Sequence, residues 1–279
     1  MVFIEVEKLS KQFDNQSVLD EINFSVKRGE CLGIIGPNGS GKSTLLKLLS
    51  GVETSTTGKI EINQKPIEQY TRKELAKWLA VLQQESLPPI GFTVREVIEM
   101  GRFPFQNWLG EETTDIERLI DSILDKMGLN DLSDRHLENL SGGERQRVAL
   151  GKTMAQQPKL LMLDEPTTYL DIGHQILLMD RIREWQLADD ITVISVLHDL
   201  NLAALYCDRL LLLHNGRVVA VGSPEDIIRT ELIEEVYGTA PIVMKHPVYG
   251  LPQIILQGES VARRQTSSQW RVGKMEILQ

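Results

Sequence analysis

The chain has 279 residues, 42% of them hydrophobic, which is enough for one large domain or two modest ones. Its 30 Lys and Arg residues against 39 Asp and Glu residues give a formal charge of −9 and an isoelectric point near 5.2. Such an acidic balance argues against a dedicated nucleic-acid binder, so we expect no nucleic-acid partner. Two cysteines are too few for a disulfide scaffold.

The N-terminus predicts no targeting segment. Residues 1–8 alternate apolar and acidic side chains and lack the basic and apolar blocks of a signal peptide. No stretch approaches the roughly 18 apolar residues that a membrane helix needs. We therefore expect a cytosolic chain that reaches a membrane only through a partner.

The first hundred residues predict several strands and one strand–loop–helix unit. Four segments have the alternation or the short apolar run of a strand, namely Val2–Val6, Val18–Val26, Cys31–Ile35 and Gly58–Asn63. A helix is expected from Lys42, because leucines 45, 46, 48 and 49 share one side of it. The pattern indicates an antiparallel subdomain at the N-terminus.

From about residue 88 to 158 the strand signals vanish. Thr93 and Thr114 each stand three residues before a glutamate, which predicts a capping box at the start of a helix. Apolar residues from Ile116 to Met127 then recur at the spacing of one helical face. We expect an inserted, all-helical subdomain here.

The next third of the chain alternates strand and helix. Leu160–Leu163 and Thr192–Leu197 predict buried strands, and Gly173–Trp185 between them predicts a helix, which favours a parallel sheet. His214–Arg217 contains Asn-Gly and predicts a hairpin turn. Ser223 followed by proline predicts a helix start.

Gly36–Ser43 fits the phosphate-loop pattern G-x-x-x-x-G-K-[ST]. Its glycines let backbone N–H groups surround a phosphate chain, and the following helix directs its positive N-terminus at the same anion. Lys42 is expected to reach the β- and γ-phosphate oxygens, and the Ser43 hydroxyl to bind Mg²⁺. The apolar run before the loop and the helical pattern after it are the context that this motif requires.

Asp164 and Glu165 end an apolar strand. Neighbouring residues of a strand point to opposite faces, so the two carboxylates can have different tasks. With a phosphate loop upstream, we expect Asp164 to hold Mg²⁺ through water and Glu165 to act as general base toward the attacking water.

Leu140–Arg147 reads Leu-Ser-Gly-Gly-Glu-Arg-Gln-Arg. Ser141 and Glu144 form a capping box, but two glycines in a first helical turn are costly. They expose backbone N–H groups at a helix N-terminus, which predicts a second anion site. If the two phosphate-binding ends cannot meet in one molecule, two molecules must face each other.

In their order along the chain, the phosphate loop, the Leu140–Arg147 motif and the Asp164–Glu165 pair resemble the ATP-binding-cassette (ABC) ATPases. The likeness covers about residues 1–256 and extends to Gln84 of the glutamine loop, Asp171 of the D-loop and His198 of the switch. It implies an α/β P-loop NTPase core with an N-terminal antiparallel β subdomain and an inserted helical subdomain. We expect one ABC ATPase domain over 1–258 and a loose tail over 259–279.

A narrower likeness is to the ATPases of bacterial importers for ferric siderophores, haem and cobalamin. It rests on Gly101–Pro104, Glu165–Gln175, Val196–Asn201 and Gly216–Gly222. Gln83 departs from that group, which commonly has proline there. The likeness implies an iron-chelate-type cargo, with a siderophore favoured and haem and cobalamin left open.

The resemblance implies two copies that sandwich two ATP molecules. Ser43, Gln84 and Asp164 would hold Mg²⁺, and Glu165, His198, Gln84 and Lys42 would serve catalysis. The implied nucleotide contacts are Phe13 on adenine and Gly36, Pro37, Asn38, Gly39, Ser40, Gly41, Lys42, Ser43, Thr44, Ser141, Gly143 and Asp171 on phosphates or across the dimer.

The implied partners are a second copy, a polytopic membrane permease and, indirectly, a solute-binding protein. The chain would thus be peripheral on the cytoplasmic face of the cell membrane. His174 and His246 are expected to be surface residues, and no metal besides nucleotide Mg²⁺ is expected.

Two other readings compete. A soluble ABC ATPase without a permease, such as an assembly or translation factor, shares the three motifs. Translation factors of this type usually carry two cassettes, and assembly factors lack the Gly101–Pro104 likeness. A phosphate-loop kinase or GTPase would leave residues 141–147 unexplained, and the guanine-reading Asn-Lys-x-Asp pattern is absent.

Overall fold

The computed structural model describes residues 1–14, 16–83, 91–106, 115–168 and 170–256. The strands are β1 (Val2–Phe13), β2 (Gln16–Lys27), β3 (Cys31–Ile35), β4 (Thr57–Ile62), β5 (Lys65–Pro66), β6 (Leu79–Leu82), β7 (Leu160–Asp164), β8 (Thr192–Val196), β9 (Arg209–His214), β10 (Arg217–Gly222), β11 (Ile242–Lys245) and β12 (Pro252–Ile255). The α-helices are α1 (Lys42–Leu49), α2 (Arg72–Ala76), α3 (Val94–Glu99), α4 (Ile116–Met127), α5 (Gly142–Ala155), α6 (Ile172–Asp189), α7 (Leu200–Tyr206), α8 (Pro224–Ile227) and α9 (Thr230–Tyr237).

A six-stranded sheet in the order β10-β9-β3-β8-β7-β6 forms the centre of the fold. Five of its strands run parallel, and β10 joins antiparallel to β9 through a hairpin. Asn215 and Gly216 of that turn have φ of 48° and 74°, as the Asn-Gly sequence predicts. The parallel order brings the carboxyl ends of β3, β7 and β8 to one edge.

Each face of this sheet covers its own hydrophobic core. Side chains alternate along β3, so Leu32 and Ile34 join one core while Cys31 and Ile35 join the other. The first core lies under α1 and the antiparallel sheet β2-β1-β4-β5. The second lies under the helices of the middle segment, α6 and α7. The α/β fold class with its antiparallel and helical subdomains is confirmed.

The middle segment is helical where the structure describes it. Thr93 caps α3 with the predicted capping box, and α5 begins after a capping box at Ser141. Helix α4 buries the predicted face, but its N-cap is Asp115, which accepts a hydrogen bond from the backbone N–H of Arg118. The prediction that Thr114 is the N-cap is therefore wrong by one position. The Asp115 carboxylate takes this role because Asp is as good a capping acceptor as Thr. Thr114 lies outside the described residues.

The C-terminal part contains one predicted helix start and elements that the sequence analysis does not assign. Helix α8 begins with the predicted cap at Ser223, followed by α9 and the hairpin of β11 and β12. The expected tail over 259–279 lies outside the described residues. Within the described part of the chain, no helix combines the length and apolar character that crossing a bilayer requires.

Candidate active site at the sheet edge and a paired helix start

The loop from Gly36 to Gly41 connects β3 to α1 at the edge where the parallel strands end. A Cβ on Gly36 would come within 2.0 Å of the Leu213 carbonyl oxygen, so only glycine fits there. Gly41 is the N-cap of α1 with φ 103°, and without a side chain it cannot cap the helix. The N–H groups of the first turn are thus left for another acceptor.

Lys42 and Ser40 contribute polar atoms to this loop. Lys42 is 5% exposed, and its Nζ donates to the carbonyls of Gly36 at 2.8 Å and Pro37 at 2.9 Å. Burial lowers the pKa of Lys42, while the nearby charges of Glu165 and Asp164 oppose that shift. Among the described residues the buried Ser40 hydroxyl has no hydrogen-bond partner. An unpaired hydroxyl and the third N–H of Lys42 fit the oxygens of a polyphosphate.

Asp164 lies at the end of β7 opposite the start of α1. Its Oδ1 accepts from the Ser43 hydroxyl at 3.5 Å. Burial, with the nearby charge of Glu165 as the second cause, raises the pKa of Asp164. A hydroxyl beside a carboxylate that lacks a full counter-charge is a donor set suited to Mg²⁺.

Glu165 and His198 meet across the ends of two neighbouring strands. Glu165 follows β7, has φ 50°, and donates its backbone N–H to the Val196 carbonyl of β8 at 3.1 Å. Its Oε1 lies 2.5 Å from Nε2 of His198, and the two side chains are 14% and 42% exposed. The pair is thus held at the sheet edge and faces solvent through the imidazole.

The second predicted anion site is formed by the starts of α5 and α6. Ser141 donates its hydroxyl and its backbone N–H to the Glu144 carboxylate, each at 2.7 Å, and these two contacts lower the pKa of Glu144. Asp171 caps α6 and accepts from the His174 backbone N–H at 2.9 Å. A Cβ on Gly143 would come within 2.9 Å of the His174 ring, so the two helix starts are in contact.

The structure thus gathers the predicted residues into two groups. Lys42, Ser43, Asp164, Glu165 and His198 are linked at the sheet edge. Ser141, Gly143 and Asp171 belong to the second group. Among the hydrogen bonds and ion pairs between described residues, none joins the side chains of the second group to the phosphate loop.

The remaining predicted residues surround the loop or lie beyond the described part. Phe13 ends β1, is 41% exposed, and has the Lys11 ammonium 4.5 Å from its ring centroid. Asn38 and Gly39 are exposed, and Thr44 is half-buried on α1. Gln84 lies outside the described residues.

Comparison with known proteins decides the family. The sequence model of the ABC transporter family matches residues 19–168. The chain belongs to that family. Its members are ATP-binding ATPases, and this chain is one of them.

Named relatives match this ABC ATPase over most of its length. It is 40% identical to the hemin import ATP-binding protein HmuV of Vibrio parahaemolyticus over 258 residues, 91% of this chain and 97% of that protein. It is 35% identical to the ferric enterobactin transport ATP-binding protein FepC of Escherichia coli over 254 residues, 91% and 94%.

A solved structure shares the fold. The ADP conformation of MJ1267, an ATP-binding cassette of an ABC transporter, superposes with a TM-score of 0.76 at 28% identity. The match covers 85% of this ABC ATPase and 98% of that chain.

Sequence reasoning missed two side chains at the second group. Gln146 is buried, and its amide donates to the Pro166 carbonyl at 3.2 Å, which ties α5 to the residue after Glu165. His174 is exposed, as expected, but its ring also packs against Gly143. The repeat distance of a helix places Asp171 beside His174, but no sequence signal places either beside Gly143.

Proposed function

We propose that this ABC ATPase is the ATP-hydrolysing subunit of a bacterial importer for an iron-chelate solute. The proposal is supported by relatives named for ferric enterobactin and hemin, both iron complexes, which match nine-tenths of the chain. These names favour the importer over a soluble ABC ATPase without a permease. A ferric siderophore is the favoured cargo.

The phosphate loop would bind the triphosphate of ATP. The ligands are the backbone N–H groups of Gly39, Ser40 and Gly41, the ammonium of Lys42, the Ser40 hydroxyl that has no partner among described residues, and Thr44 at the α-phosphate. Phe13 offers an exposed aromatic face to adenine. Loop residues Pro37 and Asn38 shape the backbone that carries these groups.

Mg²⁺ would be held by Ser43 and Asp164, with Gln84 as a third proposed ligand. When bound, the ion neutralises charge on the transferring phosphate. The Asp164 carboxylate, whose pKa is raised in the protein alone, gains a counter-charge in that state.

Hydrolysis would depend on Glu165 as general base for the attacking water. The observation that carries this assignment is the 2.5 Å contact between Glu165 Oε1 and His198 Nε2. His198 holds the carboxylate in place and directs the rest of its ring to solvent, where the γ-phosphate would lie. Lys42, Glu165, Gln84 and His198 are the proposed catalytic residues.

The second group of residues would act on another molecule. In a head-to-tail dimer, Ser141 and Gly143 would cover the γ-phosphate of ATP bound by the partner, and Asp171 would relay the contact across the interface. The helical segment and the loop around Gln84 would contact a membrane permease, and this contact would hold the chain peripherally on the cytoplasmic face. A solute-binding protein would deliver the cargo to that permease.

The variant Glu165→Gln tests the assigned base. It keeps the size of the side chain but removes the proton acceptor, so ATP binding should persist while kcat falls by about a hundredfold or more. A dimer should accumulate in Mg-ATP because the γ-phosphate is no longer removed. Steady-state ATPase assays and size-exclusion chromatography with light scattering measure both effects.

Glu234→Gln, on the exposed face of α9, is the matched control and should leave both properties unchanged. ATP hydrolysis at the normal rate by Glu165→Gln would show that the base is another group.

Growth of a deletion strain on single iron sources, ferric siderophore against haem, separates the two cargo classes.

A further inference from the structure

His174 is held in one orientation by the carboxylate that caps its own helix. Its Nδ1 lies 2.8 Å from both carboxylate oxygens of Asp171, and its backbone N–H donates to the same carboxylate at 2.9 Å. These contacts lower the pKa of Asp171. Rotation of the imidazole would break the side-chain contacts, so Nε2 and Cδ2 keep a fixed direction.

That direction leads to the start of α5. A Cβ placed on Gly143 would come 2.9 Å from Cδ2 and 3.0 Å from Nε2 of His174. Contacts under 3.0 Å are closer than side-chain carbons approach in proteins, so the ring occupies the space that any larger residue at 143 would need. The imidazole therefore packs against the backbone of the glycine that carries the second anion site.

Residues 165–168 and Leu170 are connected to both helices by hydrogen bonds. The Gln175 amide of α6 donates to the carbonyls of Thr167 at 3.2 Å and Leu170 at 3.1 Å, and Gln146 of α5 donates to that of Pro166. The Thr168 hydroxyl lies 3.5 Å from Glu165 Oε2. A continuous set of contacts thus runs from the proposed base to the ring that packs on Gly143.

We propose that His174, held by Asp171, is a positioning residue that fixes the Gly143 backbone at the start of α5 for the nucleotide of a second copy. This inference rests on the proposed function, because it is the dimer that brings a partner's γ-phosphate to Gly143. The ring sets the position of an N–H group rather than reacting itself. Contacts of residues 165–168, Leu170 and Asp171 connect the ring to the proposed base of the same chain.

A double-mutant cycle between Gly143→Ala and His174→Ala tests the contact in the nucleotide-free protein. Alanine is the better residue in a helix, so Gly143→Ala alone would stabilise α5 if the space were free. Against the fixed ring, it should instead lower the urea midpoint. In the His174→Ala background the same change should raise the midpoint, a reversal of sign that neither mutation alone produces.

The ATPase readout tests the role. Gly143→Ala should lower kcat/KM for ATP by about tenfold or more, and adding His174→Ala should recover at least about half of that loss on a logarithmic scale. His174→Ala alone should reduce kcat/KM about threefold to tenfold. His246→Ala removes a half-buried histidine whose ring packs on Tyr249, and this control should leave the rate unchanged.

The outcomes separate this inference from the proposed function. Additive midpoints would show that the ring and Gly143 are independent, and would overturn the inference whatever Glu165→Gln shows. Coupled midpoints with additive ATPase effects would overturn the positioning role and leave a packing contact. Coupling in both readouts supports the proposal, and coupling in midpoints persists even if the importer assignment fails.

Discussion

At the residue scale, the proposed nucleotide site contains polar groups that the protein alone does not satisfy. The Ser40 hydroxyl is buried without a partner among described residues, burial lowers the pKa of Lys42, and burial raises that of Asp164. Each of these costs folding free energy in the absence of ligand. A bound Mg-nucleotide would supply the missing partners, so binding and stability should be linked.

Asp164→Asn should raise the melting temperature of the nucleotide-free protein at pH 7. The pKa of Asp164 is higher in the folded than in the unfolded state, so its ionisation at neutral pH favours unfolding. Asparagine removes that charge, and thermal denaturation should show a gain of a few degrees. The gain should vanish as the pH falls below the unfolded pKa of about 3.9, where both states bind the proton.

Asp131→Asn, at an exposed position, serves as the control for that experiment. A melting temperature of Asp164→Asn equal to or below that of the unmodified chain at pH 7 would contradict the expectation. Addition of Mg-ATP should reverse the order, because only the carboxylate gains from the ion.

At the element scale, the C-terminal hairpin is attached close to the switch histidine. Asn201 lies three residues after His198, and its amide forms two hydrogen bonds with Ile254 of β12, accepting from N at 2.7 Å and donating to O at 3.3 Å. Asp199, between them, caps α7 through the backbone N–H groups of Asn201 and Leu202. The hairpin and the end of β8 are therefore connected through one short helix.

Asn201→Ala should release β12 from α7. Loss of the acceptor leaves the Ile254 N–H without its partner, so its hydrogen exchange should speed up about tenfold, equivalent to about 1.4 kcal/mol. Exchange measured by mass spectrometry or NMR reports this directly. Asn139→Ala, on an exposed side chain, should leave the Ile254 amide unaffected. Unchanged protection in Asn201→Ala would mean that packing alone holds the hairpin.

At the scale of the whole molecule, two functional groups of residues lie on one chain, and no hydrogen bond or ion pair between described residues joins the side chains of the second group to the phosphate loop. The group at the sheet edge is built by β3, β7 and β8, and the second by the starts of α5 and α6. Head-to-tail pairing of two copies would bring each group of one chain onto the other group of its partner. Hydrolysis should then depend on the concentration of the chain.

Specific ATPase activity should fall on dilution in saturating Mg-ATP. Each γ-phosphate would bridge two chains, so a monomer holds only half of the site. Rates measured over a dilution series, beside mass photometry at the same concentrations, test this. A chain that remains strictly monomeric and hydrolyses ATP at full rate would contradict the dimer. Serum albumin added at constant total protein controls for losses on surfaces.

Local patterns were enough to predict much of this protein. The capping boxes at Thr93 and Ser141, the helix start at Ser223 and the Asn-Gly hairpin involve contacts within a few residues, and all four are confirmed. The phosphate-loop pattern also predicts correctly where α1 begins: Gly41 is the N-cap and Lys42 is the first helical residue. Such features depend on backbone sterics and short-range hydrogen bonds, which neighbouring residue types determine.

The tertiary structure alone decided which distant segments meet. Strand β6 is four residues long and is the outermost strand of the sheet. No sequence pattern predicts that it pairs with β7. The same holds for the Glu165–His198 contact and for the His174 ring against Gly143. Strand order and helix packing arise from how all side chains fill two cores together, and that collective fit has no local pattern.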